Sequence, residues 1–475
     1  MRSPRGLSVP LRLERDRPEP LQDQLARQLR RAIDTGRLAP GARIPSTRGL
    51  AAILQVSRGV TLAAYEILFA QGYIDGRHGS GTYVTMPGGD DREDPAVHGP
   101  RATGRSDAPV DMRPGRPASE AFPIAAWRAA WRHAGHAPPP SEEPPPPGLP
   151  ELREAVAAHL RETRGLVLGE HEVIITGGHG HALLSLLHAQ AKESGRTAAG
   201  LEDPAPPRLR AALGGHGAVL PVPNDGSGAR PDLIPAACGT VVLMPERNDP
   251  LGTRMPTRRR HAVAAWAAER GGLVVEPAFD GVLNPSVAPR ASVMALGDPA
   301  HTAMTGTFCD VLTPALRLAY AVVPRRLAAA AGEAVAAAHA QPSLPCQRAV
   351  AHLLASGCVA RRAERLAVLY APKRALVRQA LDACAGVRLV GADTGSSATL
   401  LLPASVRAAV IVRALRERHV LVADLSAYYQ RAAGNGIVLG HGHLREAALH
   451  RALRVVARTL GEHGLARDTA GRSVA

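Results

Sequence analysis

Ile44-Pro45-Ser46-Thr47-Arg48-Gly49-Leu50-Ala51, then Val56-Ser57-Arg58-Gly59-Val60-Thr61, then Arg77-His78-Gly79-Ser80-Gly81-Thr82-Tyr83-Val84 stand in order near the start of the chain, and each block starts or stops an element. Ser46 or Thr47 can N-cap a short helix whose apolar side is Leu50, Ile53 and Leu54. Ser57 can cap a second, with Val60, Ala64, Ile67 and Leu68 at helical spacing. Gly72 ends that helix, and Tyr73-Ile74 with Thr82-Tyr83-Val84 around a Gly-rich tip predicts a hairpin. Upstream, Leu21, Leu25, Leu29 and Ile33 predict a helix over Leu21–Asp34. Together these are an α+β winged helix-turn-helix. Its second helix would enter a DNA major groove N-terminus first, with Ser57, Arg58 and Thr61 reaching base edges and phosphates. Gly59 lets the backbone approach, Ser46 and Arg48 lie at the start of the first short helix, and the wing tip brings His78, Gly79 and Ser80 to a phosphate or the minor groove.

The charge agrees with an acidic partner such as nucleic acid. Net charge is +15, and residues 1–85 carry 13 Arg against 7 Asp and Glu, a surplus of six in under a fifth of the chain. Only Lys192 and Lys373 among the 57 basic residues are lysines, so an Arg-biased genome contributes as well. The five cysteines (Cys238, Cys309, Cys346, Cys358, Cys384) have no paired spacing, which argues for a reducing compartment and against a disulfide framework or zinc site. There is no secretory apolar segment and no run of membrane-spanning length, so a soluble, cytoplasmic chain is expected.

Length allows several domains. Residues 1–85 form the DNA-binding domain. Residues 86–110, charged and rich in Pro and Gly without periodicity, read as a flexible linker. From 111 to 475 strand-like apolar runs alternate with helical stretches, which predicts an α/β body with a mostly parallel sheet, the large part about 150–342 and a smaller α+β part about 343–465 plus 111–149.

The first three blocks resemble the DNA-binding domain of the GntR family, and that resemblance implies DNA contacts at Arg48, Arg58, Gly59, His78 and Gly79. The body is similar to a fold-type-I aminotransferase. It carries Arg113-Pro114-Gly115, Gly148-Leu149-Pro150-Glu151-Leu152-Arg153, Ile175-Thr176-Gly177-Gly178, Glu202-Asp203-Pro204, Thr305-Gly306-Thr307-Phe308 and Pro314-Ala315-Leu316-Arg317-Leu318-Ala319-Tyr320 in that family's order. A GntR head on such a body is the MocR-like subfamily of transcriptional regulators. The resemblance implies double-stranded DNA as partner, a homodimer, and a cleft built for pyridoxal phosphate.

That cleft needs a lysine for the imine, a carboxylate for the ring nitrogen, a tyrosine for the ring hydroxyl, a stacking aromatic, and N–H groups with an arginine for the phosphate. By the resemblance, Asp310 stands at the lysine position, after Thr307, Phe308 and Cys309. Pro277 replaces the ring-nitrogen carboxylate, Phe279 the tyrosine, and Pro206 the stacking aromatic. Only the phosphate end survives, in Gly178, His179 and Gly180 at a helix start and in Arg317; Asn248 lies in a polar loop at the mouth. A carboxylate cannot form an imine, so no catalytic residue is assigned and no covalently bound cofactor is expected. Asp310 and Arg317 would pair with each other or receive a different effector, and a filled cavity is the alternative. Lys192 and Lys373 are expected in solvent. The pairs His179/His181 and His441/His443 fit no standard zinc spacing, so no metal is assigned. The competing function is a pyridoxal-phosphate enzyme of aminotransferase type, or a regulator that still binds the cofactor.

Overall fold

The computed structural model describes residues 11–14, 19–34, 37–39, 41–70, 73–77, 81–84, 109–120, 122–278, 290–382, 384, 386–431 and 434–465. The chain divides into two compact units, Met1–Arg105 and Ser106–Ala475, each taken by itself below.

In the head the order is α1 (Leu21–Asp34), β1 (Arg43–Ile44), α2 (Thr47–Leu54), α3 (Arg58–Ala70), β2 (Ile74–Arg77) and β3 (Gly81–Val84). Ser46 caps α2, its hydroxyl accepting from Gly49 N at 3.1 Å. Ser57 Oγ accepts from Val60 N at 3.4 Å at the start of α3. Leu25, Leu29 and Ile33 meet Leu50, Ala64, Leu68, Ile74 and Val84 in one core. The Tyr65 hydroxyl donates to Pro45 O at 2.7 Å and ties α3 to the chain entering α2. The strands pair antiparallel in the order β1-β3-β2. One detail differs from the sequence expectation. Ile53 is 48 % exposed rather than on the apolar side, because Leu50 and Ala51 fill the face that meets α1 and α3.

The body begins with β4 (Val110–Asp111), α4 (Ile124–His136), α5 (Pro150–Arg164), β5 (His171–Thr176), α6 (His179–Ser194), β6 (Ala198–Asp203), α7 (Pro207–Gly214) and β7 (Val219–Pro223). It continues with β8 (Cys238–Val242), α8 (Thr257–Arg270), β9 (Leu273–Ala278), α9 (Val293–Leu296), β10 (Thr302–Thr307), β11 (Ala319–Pro324), α10 (Arg325–Ala337), α11 (Leu344–Ala355) and α12 (Cys358–Leu381). The last elements are β12 (Arg388–Val390), β13 (Ser397–Leu401), α13 (Ala408–Glu417), β14 (Val420–Leu421), β15 (Ala423–Asp424), β16 (Gly436–Gly440) and α14 (Glu446–Glu462).

Seven strands form the central sheet in the order β5-β11-β10-β9-β8-β6-β7, parallel except for β11, which runs antiparallel to both neighbours. Alternation of side chains along the strands divides the core. Ile174, Val242, Val275 and Val323 pack on one face with Leu183, Leu187 and Leu327. Val173, Ile175, Met304 and Val322 pack on the other with Leu152, Val156, Val350 and Tyr370. The last strand of this sheet in chain order is Ala319–Pro324, so Leu316 and Leu318 precede it; Leu316 lies in a 3₁₀ turn that re-aims the chain. The smaller part is an antiparallel sheet, β12-β13-β16-β15, under α12, α13 and α14.

Candidate functional site

In the head, Ser46, Arg48, Ser57, Arg58 and Gly59 are all exposed around the starts of α2 and α3. These starts present free N–H groups and positive helix ends, an arrangement suited to phosphate oxygens. Thr61 is a correction to the sequence expectation. It is 0 % exposed, and its hydroxyl donates to Thr47 O at 2.9 Å and Arg58 O at 3.0 Å, so it fastens α3 to α2 instead of reaching DNA. The expected wing-tip contacts at His78, Gly79 and Ser80 lie outside the described residues.

In the body, the carboxyl ends of β5, β6, β8, β9 and β10 deliver the remaining candidates to one edge of the sheet, where open α/β sheets bind ligands. Gly178, at φ 130°, turns β5 into α6. His179 opens that helix and its Nε2 lies 2.7 Å from Thr305 Oγ1 of β10. Burial, with Arg208 nearby, pushes the His179 ring down to about 3, so it is neutral. Gly180 follows on the same turn, half-buried. Pro206 is buried just before α7 and offers no ring to stack on a cofactor.

Pro277 is buried within β9, opposite Thr305 of β10, and supplies no carboxylate. Asn248 is 0 % exposed and its amide is already committed: Nδ2 donates to Glu202 Oε1 at 2.9 Å and Pro204 O at 3.0 Å, while Oδ1 accepts from Leu251 N at 3.1 Å. Thr307 Oγ1 accepts from Cys309 N at 3.1 Å and contacts the Cys309 thiol at 2.9 Å. Phe279 lies outside the described residues.

Asp310 follows this turn. Burial raises its carboxyl above the ordinary carboxylate range; Arg208 opposes that and Asp249 adds to it. The expected pairing of Asp310 with Arg317 does not form. Arg317 is exposed, at φ 46° behind the Pro314–Leu316 turn, and the cation acting on Asp310 is Arg208. Sequence reasoning passed over Arg208, although its place in the first turn of α7, two residues after Pro206, was a usable signal. Arg208 acts also on His179, Cys309 and Tyr428, and Asp249 acts on Tyr428, so this edge gathers Asp249, Asp310, Arg208, His179 and Tyr428.

Neither lysine reaches this edge. Lys192 is exposed beside Glu333 at 3.4 Å, as expected. Lys373 corrects the expectation of a solvated head: it is 3 % exposed, donating to Glu120 Oε2 at 2.7 Å and Gly442 O at 3.0 Å. At the positions that the resemblance assigns to the cofactor, Asp310 offers a carboxyl and no amine, Pro277 offers no carboxylate, and the Asn248 amide is occupied, a set that fits an imine-linked pyridoxal phosphate poorly. Among the described residues no group of three or more His, Cys, Asp or Glu could hold a metal, and no helix is long and apolar enough to cross a membrane.

Two family descriptions match the chain: bacterial regulatory proteins, gntR family, over residues 21–84, and aminotransferase class I and II over residues 115–436. The HTH-type pyridoxine biosynthesis transcriptional regulator PdxR of Corynebacterium glutamicum is 33 % identical over 453 residues, 93 % of this chain and 96 % of that one. The HTH-type transcriptional regulator TauR of Rhodobacter capsulatus is 30 % identical over 93 % of this chain and 96 % of its own, and the probable rhizopine catabolism regulatory protein MocR of Rhizobium meliloti is 29 % identical over 76 % and 77 %. Among solved structures, the multiple substrate aminotransferase of Thermococcus profundus superposes with a TM-score of 0.68 at 19 % identity, over 76 % of this chain and 93 % of that one. That likeness concerns the fold of the body. The chain belongs to the MocR-like regulators of the gntR family, in which a winged helix-turn-helix head is joined to an aminotransferase class I and II body.

Proposed function

We propose that this chain is a sequence-specific, double-stranded-DNA-binding transcriptional regulator whose aminotransferase-like body is a dimerisation and effector-sensing unit that no longer performs pyridoxal-phosphate chemistry. Two heads on a symmetric dimer would read paired half-sites, and an effector that binds one arrangement better would shift their placement. In the head, Arg48 and Arg58 contact phosphates and base edges, Ser46, Ser57 and Gly59 let the helix starts approach the duplex, and the wing tip His78-Gly79-Ser80 adds contacts alongside.

The observation that carries the loss of chemistry is Asp310. It stands where the imine lysine belongs, and the chain's two lysines are committed elsewhere, Lys373 to Glu120 and Lys192 to the surface beside Glu333. The second reading, a regulator that keeps the cofactor without a covalent bond, is favoured by one feature: the α6 start at Gly178 still offers N–H groups to a phosphate.

Regulation is tested by a salt-titrated binding assay on the protein's own promoter DNA against random duplex. A preference for promoter DNA that Arg58→Ala removes supports the reading; equal affinity for both duplexes sinks it.

A further inference from the structure

Helix α3 turns a leucine to solvent in the part of the helix that carries Arg58. Leu62 is 45 % exposed, one turn after Arg58 and next to the buried Thr61. The roll of α3 that exposes it is fixed at two points. The Thr61 hydroxyl donates to Thr47 O at 2.9 Å and the Tyr65 hydroxyl to Pro45 O at 2.7 Å, while Ala64 and Leu68 lie in the core of the head. With those positions turned inward, the outward face of the helix is Arg58, Gly59, Leu62, Glu66 and Phe69.

The neighbours of Leu62 leave it protruding. A helical leucine leans over the turn before its own, which here is Arg58 and Gly59. Gly59 has no side chain, and a Cβ placed on it would meet nothing nearer than Ser57 Oγ at 3.7 Å, so that side is open.

Leu62 is not part of an apolar stripe of the kind that docks a protein. Phe69, 41 % exposed, is the other large apolar group on this face, about 10 Å along the helix, and the exposed Glu66 stands between them. A partner covering all three would have to desolvate that carboxylate. Ile53 belongs to α2 and lines a groove with Leu11, Leu13 and Leu21.

On the reading that the head binds DNA, we propose that Leu62 reads the 5-methyl group of a thymine in the major groove, beside the contact made by Arg58. Of the four bases only thymine presents a methyl there, so an apolar side chain separates a T·A pair from a C·G pair. Burying one methyl is worth a factor of about four in affinity, and a symmetric pair of heads raises this to about fifteenfold. Leu62 has no charge, so it adds discrimination between bases and leaves the salt-dependent part of binding to the arginines.

The test compares promoter DNA with the same duplex made with deoxyuridine in place of thymidine, which deletes only the 5-methyl groups. Full-length wild type and Leu62→Ala are titrated with each by fluorescence anisotropy, with folding checked by circular dichroism. The wild type should bind the uracil duplex about four- to fifteenfold more weakly. Leu62→Ala should bind both duplexes alike and keep the wild-type salt slope. Equal wild-type affinity for the two duplexes, or the same loss in the variant, overturns the role of Leu62. The regulatory reading survives that result as long as promoter DNA is preferred to random duplex; no such preference sinks both. Should Leu62→Ala fail to fold, Leu62→Gln, closer in size, takes its place with the same outcomes.

Discussion

Lys373 Nζ lies 2.7 Å from Glu120 Oε2, a contact between residues 253 positions apart that places one of the chain's two lysines in a structural ion pair. Removing one partner of a buried pair leaves the other uncompensated. Glu120 keeps partial access to water, so Lys373→Met is expected to cost about 3 kcal/mol in urea unfolding, the lower end for such pairs. Glu120→Gln should cost less, because the amide can still accept from the amine. A Lys373→Met protein with wild-type stability would contradict the pairing.

Asp310 gives a pH signature. Burial raises its carboxyl above the ordinary value of 3.8, so the folded chain holds this proton where the unfolded chain has lost it. Stability from this group is full below the ordinary value and falls as pH rises through the folded one. Asp310→Asn removes that loss. The variant should be more stable than wild type at pH 7 by about 1 kcal/mol, the scale of an imperfectly compensated buried charge, and the gain should shrink toward pH 4. Thermal melts across that range check it, and a destabilised variant at pH 7 would mean that Arg208 compensates the charge fully.

The head separates fastening from reading. Arg58→Ala should leave stability within about 0.5 kcal/mol, as at exposed positions. It should lower affinity for promoter DNA about tenfold and reduce the salt slope by about one if Arg58 meets a phosphate. Thr61→Val should do the opposite, losing about 1 kcal/mol of stability with its hydroxyl bonds and leaving intrinsic DNA affinity near wild type. Fluorescence anisotropy in a chloride series, with urea unfolding alongside, distinguishes the two roles.

Asn248 makes a related point in the body. Its amide joins Glu202 to Pro204 O and Leu251 N, so Asn248→Ala leaves buried groups without partners and should cost about 2 kcal/mol. Denaturant midpoints for the variant measure this directly. A neutral result would mean that the amide is free for a ligand.

Much of this was legible in the sequence because the signals were local. Ser46 and Ser57 announce their helices by capping chemistry, and Leu21, Leu25, Leu29 and Ile33 mark α1 by spacing alone. Asp310 and Pro277 stood out because the motifs around them fixed their positions. Contacts made across the fold left no such trace. Thr61 faces α2 rather than the duplex because of how two short helices cross. Arg208, rather than Arg317, is the cation whose charge acts on Asp310, because α7 starts at the cleft edge while the Pro314–Leu316 turn carries Arg317 to the surface. The burial of Lys373 depends on Glu120, 253 positions away in the chain.

The central claim is that this body no longer captures its ancestral cofactor as an imine. The direct measurement is the ultraviolet-visible spectrum of purified protein with excess pyridoxal phosphate, followed by borohydride reduction, removal of free cofactor and intact-mass determination. The account predicts no protein-bound imine band and an unchanged mass. A yellow protein that keeps its colour through purification and gains the mass of a reduced pyridoxyl group on Lys192 or Lys373 would contradict it.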